Sequence, residues 1–347
     1  MEGKMKVAVM KGIRQMEFEE WPIPQIKDDE VLVKINHVGV CGSDLHFFEA
    51  GRIGNWIVDS DLVLGHESGG TVVEVGSKVE HLKVGDRVAL EPGVFCGECE
   101  MCKKGYYNLC EKMDFMAVPH ERSGVFLEYY AHPAKMCFKL PDNVDTMEGG
   151  LMEPLSVGLH AVSLSGIKMA QSAAVLGCGC IGLCTIMSLK AAGVDEIYAF
   201  DVLDKRMEKA REVGAYKVID CRETDTVEFL KSLPGGGVDH CFETAGTNFT
   251  TLQTAKVLKK GGHVTLVGMT PDAELMYDIG SLSAVEGVVH TVYRYRNLYP
   301  TAIKLVSQGK IPLKSIVSHV YKFDDIIEGV NYNIDHKSDV IKAVIEM

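Results

Sequence analysis

The chain changes rhythm about halfway along. In its first part, short runs rich in Val, Ile and Leu, at residues 5–10, 31–38, 69–75 and 87–90, are bounded by Gly, Asp or Pro. That is the pattern of β-strands, and it predicts a barrel-like β domain with a few loops and short helices. From residue 172 onwards strand and helix patterns alternate. Residues 172–177 read as an apolar strand, 179–193 as an amphipathic helix, 196–201 as a second strand and 204–213 as a charged helix. Residues 217–220, 238–245 and 262–268, and a segment near 285–292, supply further strands. Such alternation predicts a parallel, doubly wound sheet. Beyond residue 297 a helical stretch at 299–308 precedes strand-like pieces at 317–323 and 340–346. With no evident linker, this tail is expected to rejoin the first domain. The predicted class is α/β: a β-rich domain from residues 1–152 and 296–347, and a nucleotide-binding domain from residues 153–295.

Composition narrows the function classes. A hydrophobic fraction of 46% over 347 residues is enough for two cores. The net charge of −12 argues against nucleic acid, which demands a basic footprint, and against an anionic membrane surface. No apolar run reaches the ~20 residues that cross a bilayer. Eleven cysteines, an odd number in a large chain, fit reduced thiols in a cytoplasmic protein better than a disulfide framework. Cys137, Cys178, Cys180, Cys184, Cys221 and Cys241 read as small core residues.

Gly177-Cys178-Gly179-Cys180-Ile181-Gly182 is a G-x-G-x-x-G sequence between a predicted strand and a predicted helix, and Asp201 ends the next strand nineteen residues after Gly182. This is the setting of a dinucleotide-binding turn. Gly177 permits the tight turn, Gly179 lets backbone approach a pyrophosphate, and Gly182 lets helix and strand pack closely. The phosphates then lie against unpaired N–H groups at the helix N-terminus. A carboxylate at Asp201 accepts hydrogen bonds from ribose hydroxyls and repels a 2′-phosphate, which favours NAD over NADP; the nearby Arg206 offsets part of that charge.

Cys96, Cys99, Cys102 and Cys110 have the spacing C-x2-C-x2-C-x7-C. Four thiolates from one loop match a closed, tetrahedral structural zinc site; an iron–sulfur cluster or a chance grouping of thiols are the alternatives. Three further segments are dispersed. Cys41-Gly42-Ser43-Asp44-Leu45-His46 holds a thiol, a hydroxyl, a carboxylate and an imidazole, and Gly65-His66-Glu67 follows the apolar Val63-Leu64. Glu153-Pro154-Leu155-Ser156 is expected to open a helix at the domain boundary. Cys, His and Glu together suit a catalytic zinc that keeps one position open.

In this order, the segments resemble those of the medium-chain zinc-dependent alcohol dehydrogenases over essentially the whole chain. The resemblance is to the polyol branch, the sorbitol, xylitol and L-iditol dehydrogenases. Residues 41–48 with Gly51-Arg52-Ile53-Gly54, the Glu153-Pro154-Leu155-Ser156 run and Tyr293-Arg294-Tyr295-Arg296-Asn297 carry it. It implies a GroES-like catalytic domain beside a Rossmann domain, a homo-oligomer (tetramer or dimer), and zinc and NAD as cofactors. It makes Cys41 and His66 zinc ligands, with Glu67 or Glu153 completing the set and the other adjacent or bound through water. Asp44 then orients His66, and Ser43 and His46 stand in the proton relay. Arg294 and Tyr295 are implied to contact polyol hydroxyls, in a pocket with Glu153, Phe47 and Phe115. Ile181, Asp201, Arg206, Val267-Gly268-Met269 and Val292-Tyr293 align with NAD contacts.

Phe47 stands where polyol members often carry Tyr, and Val118 replaces a position that is polar in some members, so the particular sugar alcohol stays open. Single-residue alternatives are Ser43 as a helix cap, His46 as a loop histidine, and Arg294 in a salt bridge at a domain interface. The implied reaction transfers hydride from a secondary hydroxyl of a polyol to the nicotinamide, giving a ketose, with zinc as Lewis acid. A sister dehydrogenase for L-threonine or a vicinal diol such as butanediol shares the zinc and NAD motifs. A non-catalytic NAD-binding protein would be expected to lose one of Cys41, His66 or Glu153, and all three are present.

Overall fold

The structure, a computed structural model, describes residues 2–347. The chain divides into two compact units. One holds the residues up to Glu153 with Tyr299–Ser307 and Val317–Met347, and the other holds Pro154–Leu298 with Gln308–Ile316. The sequence put Gln308–Ile316 in the first domain. It belongs to the second because its 3-10 turn, Leu313–Ile316, buries Leu313 and Ile316 and packs against the Cys180–Ala191 helix.

In the first unit a seven-stranded sheet runs in the order Cys137–Lys139, Arg87–Leu90, Glu67–Val75, Glu30–Val40, Ala343–Glu346, His319–Lys322, with Tyr129–Pro133 also pairing with Glu30–Val40. The strand Glu30–Val40 is antiparallel to three neighbours. Its Val31, Leu32, Val33, Ile35 and Val38 are core residues alongside Phe48, Leu64 and Phe126. In the tail, Ala343–Glu346 pairs with Glu30–Val40. The tail also contains a helix that the strand-like reading missed, Ile326–Asp335, which buries Ile326, Val330 and Ile334 at helical spacing.

The second unit is built on a six-stranded sheet in the order Lys217–Asp220, Ile197–Asp201, Ala173–Leu176, Val238–Glu243, Leu258–Leu266, Val288–Thr291. All of its pairings are parallel. Every residue of Ala173–Leu176 and Ile197–Asp201 is buried, as strands covered on both faces require. The chain builds outward first on one side of Ala173–Leu176 and then on the other. The C-terminal end of that strand is therefore the switch point where such sheets bind ligands.

Two expectations need correction. Glu153 does not open a helix: it lies inside Thr146–Ser165, with Pro154 also within the helix. The true start is set by Asp145 and Glu148, each of whose backbone N–H groups donates to the other's carboxylate, at 3.1 and 3.0 Å; this is a capping box. Of the six cysteines read as core, Cys180 and Cys221 are half-exposed, while Cys137, Cys178, Cys184 and Cys241 are buried.

Candidate active site

Strand register gathers the chemistry at one end of the first unit's sheet. Gly39 lies opposite Glu67, Val40 opposite Ala343, and Ser68 opposite Leu90. Cys41 follows Val40, His66 precedes Glu67, Lys342 precedes Ala343 and Glu91 follows Leu90, so residues far apart in the chain share one edge. The ligand atoms of Cys41, His66 and Glu67 lie within 4.8 Å of one another. Between the two carboxylates that the sequence left open, the geometry groups Glu67 with Cys41 and His66. Glu153 is buried in the same unit, outside that group.

The helix Gly42–Ala50 begins directly after Cys41, and Asp44 rather than Ser43 closes its first turn by accepting the Cys41 N–H at 3.0 Å. The buried Asp44 carboxylate also accepts the Gly65 N–H at 2.9 Å and faces His66 Nδ1 at 3.5 Å. A carboxylate on Nδ1 leaves Nε2 as the nitrogen for an ion. Burial disfavours charge on His66, yet Asp44 and Cys41 outweigh it and hold the imidazole pKa well above its ordinary value. A pocket whose donors pull a proton onto its histidine is one that a divalent cation suits, and a soft thiolate with an imidazole and a carboxylate is a zinc donor set.

Two residues of this edge were not foreseen. Lys342 is buried, pairs with Glu67 Oε2 and donates to Val40 O at 2.9 Å. A lysine inside the apolar run Val340-Ile341-Lys342-Ala343-Val344-Ile345 was the available signal, because a buried lysine needs a partner. Glu91 is buried and accepts the Tyr107 hydroxyl at 2.6 Å.

Ser43 and His46 sit three positions apart on the helix Gly42–Ala50 and so share a face, Ser43 half-buried and His46 exposed. Phe47 is a member of the hydrophobic core. Phe115 is also buried, its ring centroid 5.7 Å from that of His66.

The four-cysteine loop closes on itself. Cys96 Sγ lies 3.9 Å from Cys102 Sγ and 3.5 Å from Cys110 Sγ, and Cys99 Sγ lies 3.9 Å from Cys110 Sγ. A tetrahedron with Zn–S near 2.3 Å has S···S edges of about 3.8 Å, so the cage has zinc dimensions. All four thiols are free. Backbone N–H groups pull two of them towards thiolate, chiefly that of Cys102 acting on Cys99 and that of Glu98 acting on Cys96.

In the second unit, Gly177 has φ 98°, and a Cβ there would come within 2.7 Å of Ala245 N. A Cβ on Gly182 would meet Gly177 O at 1.9 Å. At Gly179 a Cβ would meet only Arg206 Nη1, at 3.8 Å, within 4 Å, so the space above this backbone is open. That is the cradle a pyrophosphate needs at the N-terminus of the Cys180–Ala191 helix, the element that also carries Ile181. Asp201 accepts the Cys178 N–H at 2.7 Å on one oxygen, and the Val202 and Leu203 N–H groups at 2.7 and 2.9 Å on the other. It thus braces the glycine turn, a role the sequence reading did not assign to it.

Glu243, also unforeseen, is buried and accepts from Ala245 N, Gly246 N and Thr250 Oγ1 at 3.0, 2.9 and 2.7 Å. Its carbonyl oxygen holds the N–H groups of Val267 and Gly268 at 2.9 and 3.0 Å. Met269, beyond them, is exposed. Val292 is half-buried and Tyr293 exposed, with the Arg294 guanidinium 5.1 Å from the Tyr293 ring centroid. Arg294 and Asn297 both have positive φ, 55° and 57°, and Tyr295 is buried. Left-handed backbone at two non-glycine residues marks a loop held in place by its surroundings.

Residues 27–142 match the alcohol dehydrogenase GroES-like domain, and residues 180–308 match the zinc-binding dehydrogenase family. The chain is 40% identical to an uncharacterized zinc-type alcohol dehydrogenase-like protein of Escherichia coli strain K12, over 100% of this chain and 99% of that one. It is 37% identical to the sorbitol dehydrogenase of Bacillus subtilis strain 168, over 98% and 97%. Among solved structures, the 2R,3R-butanediol dehydrogenase of Bacillus subtilis superposes with a TM-score of 0.90 at 32% identity, over 99% of each chain. The protein belongs to the zinc-dependent medium-chain alcohol dehydrogenases, oxidoreductases that use zinc and a nicotinamide cofactor.

Proposed function

We propose that this enzyme oxidises a secondary hydroxyl of a polyol such as sorbitol, xylitol or L-iditol to a ketose, with NAD as acceptor. The Cys41, His66 and Glu67 cluster supports the reaction class. The observation that carries the substrate class is the full-length similarity to a sorbitol dehydrogenase, together with the Tyr293-Arg294-Tyr295-Arg296-Asn297 loop.

Zinc, when bound, supplies a Lewis acid that makes the substrate hydroxyl acidic near neutral pH, and NAD supplies the hydride acceptor. Cys41, His66 and Glu67 hold the metal, and Asp44 fixes the His66 tautomer. Ser43 takes up the hydroxyl proton and passes it towards His46, which is exposed on the same helix face. Glu153, Arg294 and Tyr295 recognise the neighbouring hydroxyls. Cys96, Cys99, Cys102 and Cys110 hold a second, structural zinc. Asp201 and the turn from Gly177 to Gly182 bind the adenosine side of NAD.

The test compares Arg294→Ala on a polyol and on a simple secondary alcohol at saturating NAD. Losing a charged hydrogen-bond donor is worth about 1.5–3 kcal/mol, or roughly tenfold to over a hundredfold in kcat/KM. A loss confined to the polyol is expected; no loss on either substrate overturns the assignment. The similarity to a butanediol dehydrogenase favours a second reading, a vicinal diol. A higher kcat/KM for 2,3-butanediol than for any polyol would establish it.

A further inference from the structure

Glu243 is the last residue of the strand Val238–Glu243, at the switch point of the second unit's sheet. Its neighbours across the sheet are Leu176, which precedes the glycine turn, and Leu266, which precedes Val267-Gly268-Met269. Three loops therefore leave the sheet side by side, and Glu243 joins two of them. Its side chain, fully buried, accepts the N–H groups of Ala245 and Gly246 at 3.0 and 2.9 Å and the Thr250 hydroxyl at 2.7 Å, all on Oε1. Its carbonyl oxygen accepts the N–H groups of Val267 and Gly268 at 2.9 and 3.0 Å. The two loops touch backbone to backbone. A Cβ on Gly268 would lie 2.4 Å from Gly246 N and 2.7 Å from Glu243 Oε2, and one on Gly246 would lie 2.8 Å from Met269 O.

We propose that Glu243 is a positioning residue for the nicotinamide half of the cofactor, holding Ala245-Gly246 and Val267-Gly268 in the one arrangement that receives it. A dinucleotide lies across the switch point of such a sheet. Asp201 ends the strand on one side of Ala173–Leu176, and Glu243 ends the strand on the other. With the adenosine half on the Asp201 side, the nicotinamide half falls over the ends of Val238–Glu243 and Leu258–Leu266. Backbone N–H groups beyond a strand end have no ladder partner and need another acceptor. Water could satisfy those of Ala245 and Gly246 without fixing their direction, whereas a buried carboxylate does both. The glycine turn has anchors of its own. Thr244 Oγ1 donates to Gly177 O at 2.7 Å, and Asp201 accepts the Cys178 N–H. Loss of Glu243 therefore frees the two loops and spares the adenosine side.

This role rests on the reading that Asp201 and the glycine turn hold the adenosine half, so the parent and Asp201→Ala are first titrated with ADP. Binding that Asp201→Ala weakens upholds that reading, and binding that it leaves alone overturns the reading by itself. Glu243→Ala is then titrated with NADH, by fluorescence, and with ADP. The expected result is an NADH Kd raised about tenfold, with the ADP Kd within about twofold of the parent's. If Glu243→Ala does not fold, Thr250→Val takes its place, because it removes one donor to the carboxylate and keeps the side-chain shape. Its NADH Kd is expected to rise about threefold, again with ADP spared. Equal rises for NADH and ADP would overturn the proposal, since a general prop of the unit weakens both halves alike. So would an unaltered NADH Kd in the folded variant.

Discussion

Lys342 and Glu67 form an ion pair in which both side chains are almost fully buried, at 3% and 1% exposure. The same ammonium donates to Val40 O, one residue before Cys41, so one cation from the end of the chain fixes the neighbours of two candidate zinc ligands. Gly39 makes room for the pair: a Cβ there would lie 2.0 Å from Glu67 Oε2 and 3.1 Å from Lys342 Cε.

Removing one partner of a buried pair costs about 3–5 kcal/mol, because the other charge is left uncompensated. Lys342→Met is therefore expected to lower unfolding free energy by that order and to weaken zinc at the Cys41, His66 and Glu67 cluster. Denaturant unfolding and metal titration measure the two effects. Stability equal to the parent's would rule out the clamp. Gly39→Ala should displace Glu67 and reproduce the metal defect.

Two independent ligand cages predict two zinc ions per subunit. Cys99→Ser is expected to bring the content down to one and to act mainly on stability, since a structural ion contributes folding free energy directly. Elemental analysis of the purified protein checks the stoichiometry. A single zinc in the parent that survives Cys99→Ser would eliminate the structural site.

Asp201 braces the glycine turn, and in the proposed function it also binds the adenosine side of NAD. Asp201→Ala strips acceptors from three backbone N–H groups and removes the repulsion of a 2′-phosphate. Hydrogen bonds to a charged group contribute about 1.5–3 kcal/mol. The ratio of kcat/KM for NAD over NADP should therefore fall at least about tenfold, with a loss on NAD itself. A ratio that does not move would assign the preference to Arg206.

His132 gives the protein an acid-sensitive core. Burial holds its pKa down to about 3, despite the hydrogen bond with Glu91 O. The fold therefore keeps it neutral while the unfolded chain protonates near 6.5, and stability falls as pH drops from about 6.5 towards 3. The slope is about 1.4 kcal/mol for each pH unit below 6.5. His160 and His240, both held down to about 4 mainly by burial, add to it. Unfolding free energies of the parent and His132→Phe, compared between about pH 7.5 and pH 5, should show a shallower acid slope in the variant. Parallel slopes would mean that His132 does not titrate with unfolding.

Local pattern alone determined a good deal. The strands 87–90 and 217–220 have the bounds the sequence suggested, because each is a short apolar or β-branched run bounded by turn residues. The glycine fingerprint and the four-cysteine spacing are contiguous in the chain, so their geometry is set by a turn or a loop that sequence records directly. The helix around Glu153 was expected to start at Glu153, although the capping pair Asp145 and Glu148 that sets its true start stands eight and five residues earlier in the sequence.

Tertiary structure alone decided which residues meet. That Glu67 rather than Glu153 joins Cys41 and His66, and that Lys342 reaches Glu67, follows from strand register: Gly39 opposite Glu67 and Val40 opposite Ala343. Such pairings join positions 28 and 303 residues apart, and a shift of one residue would turn every side chain to the other face. Burial, which leaves Glu67, Lys342, Glu91 and Glu243 in need of partners, is a property of the packed chain. The apolar run around Lys342 hints at burial, but which partner each buried charge meets is set only by packing.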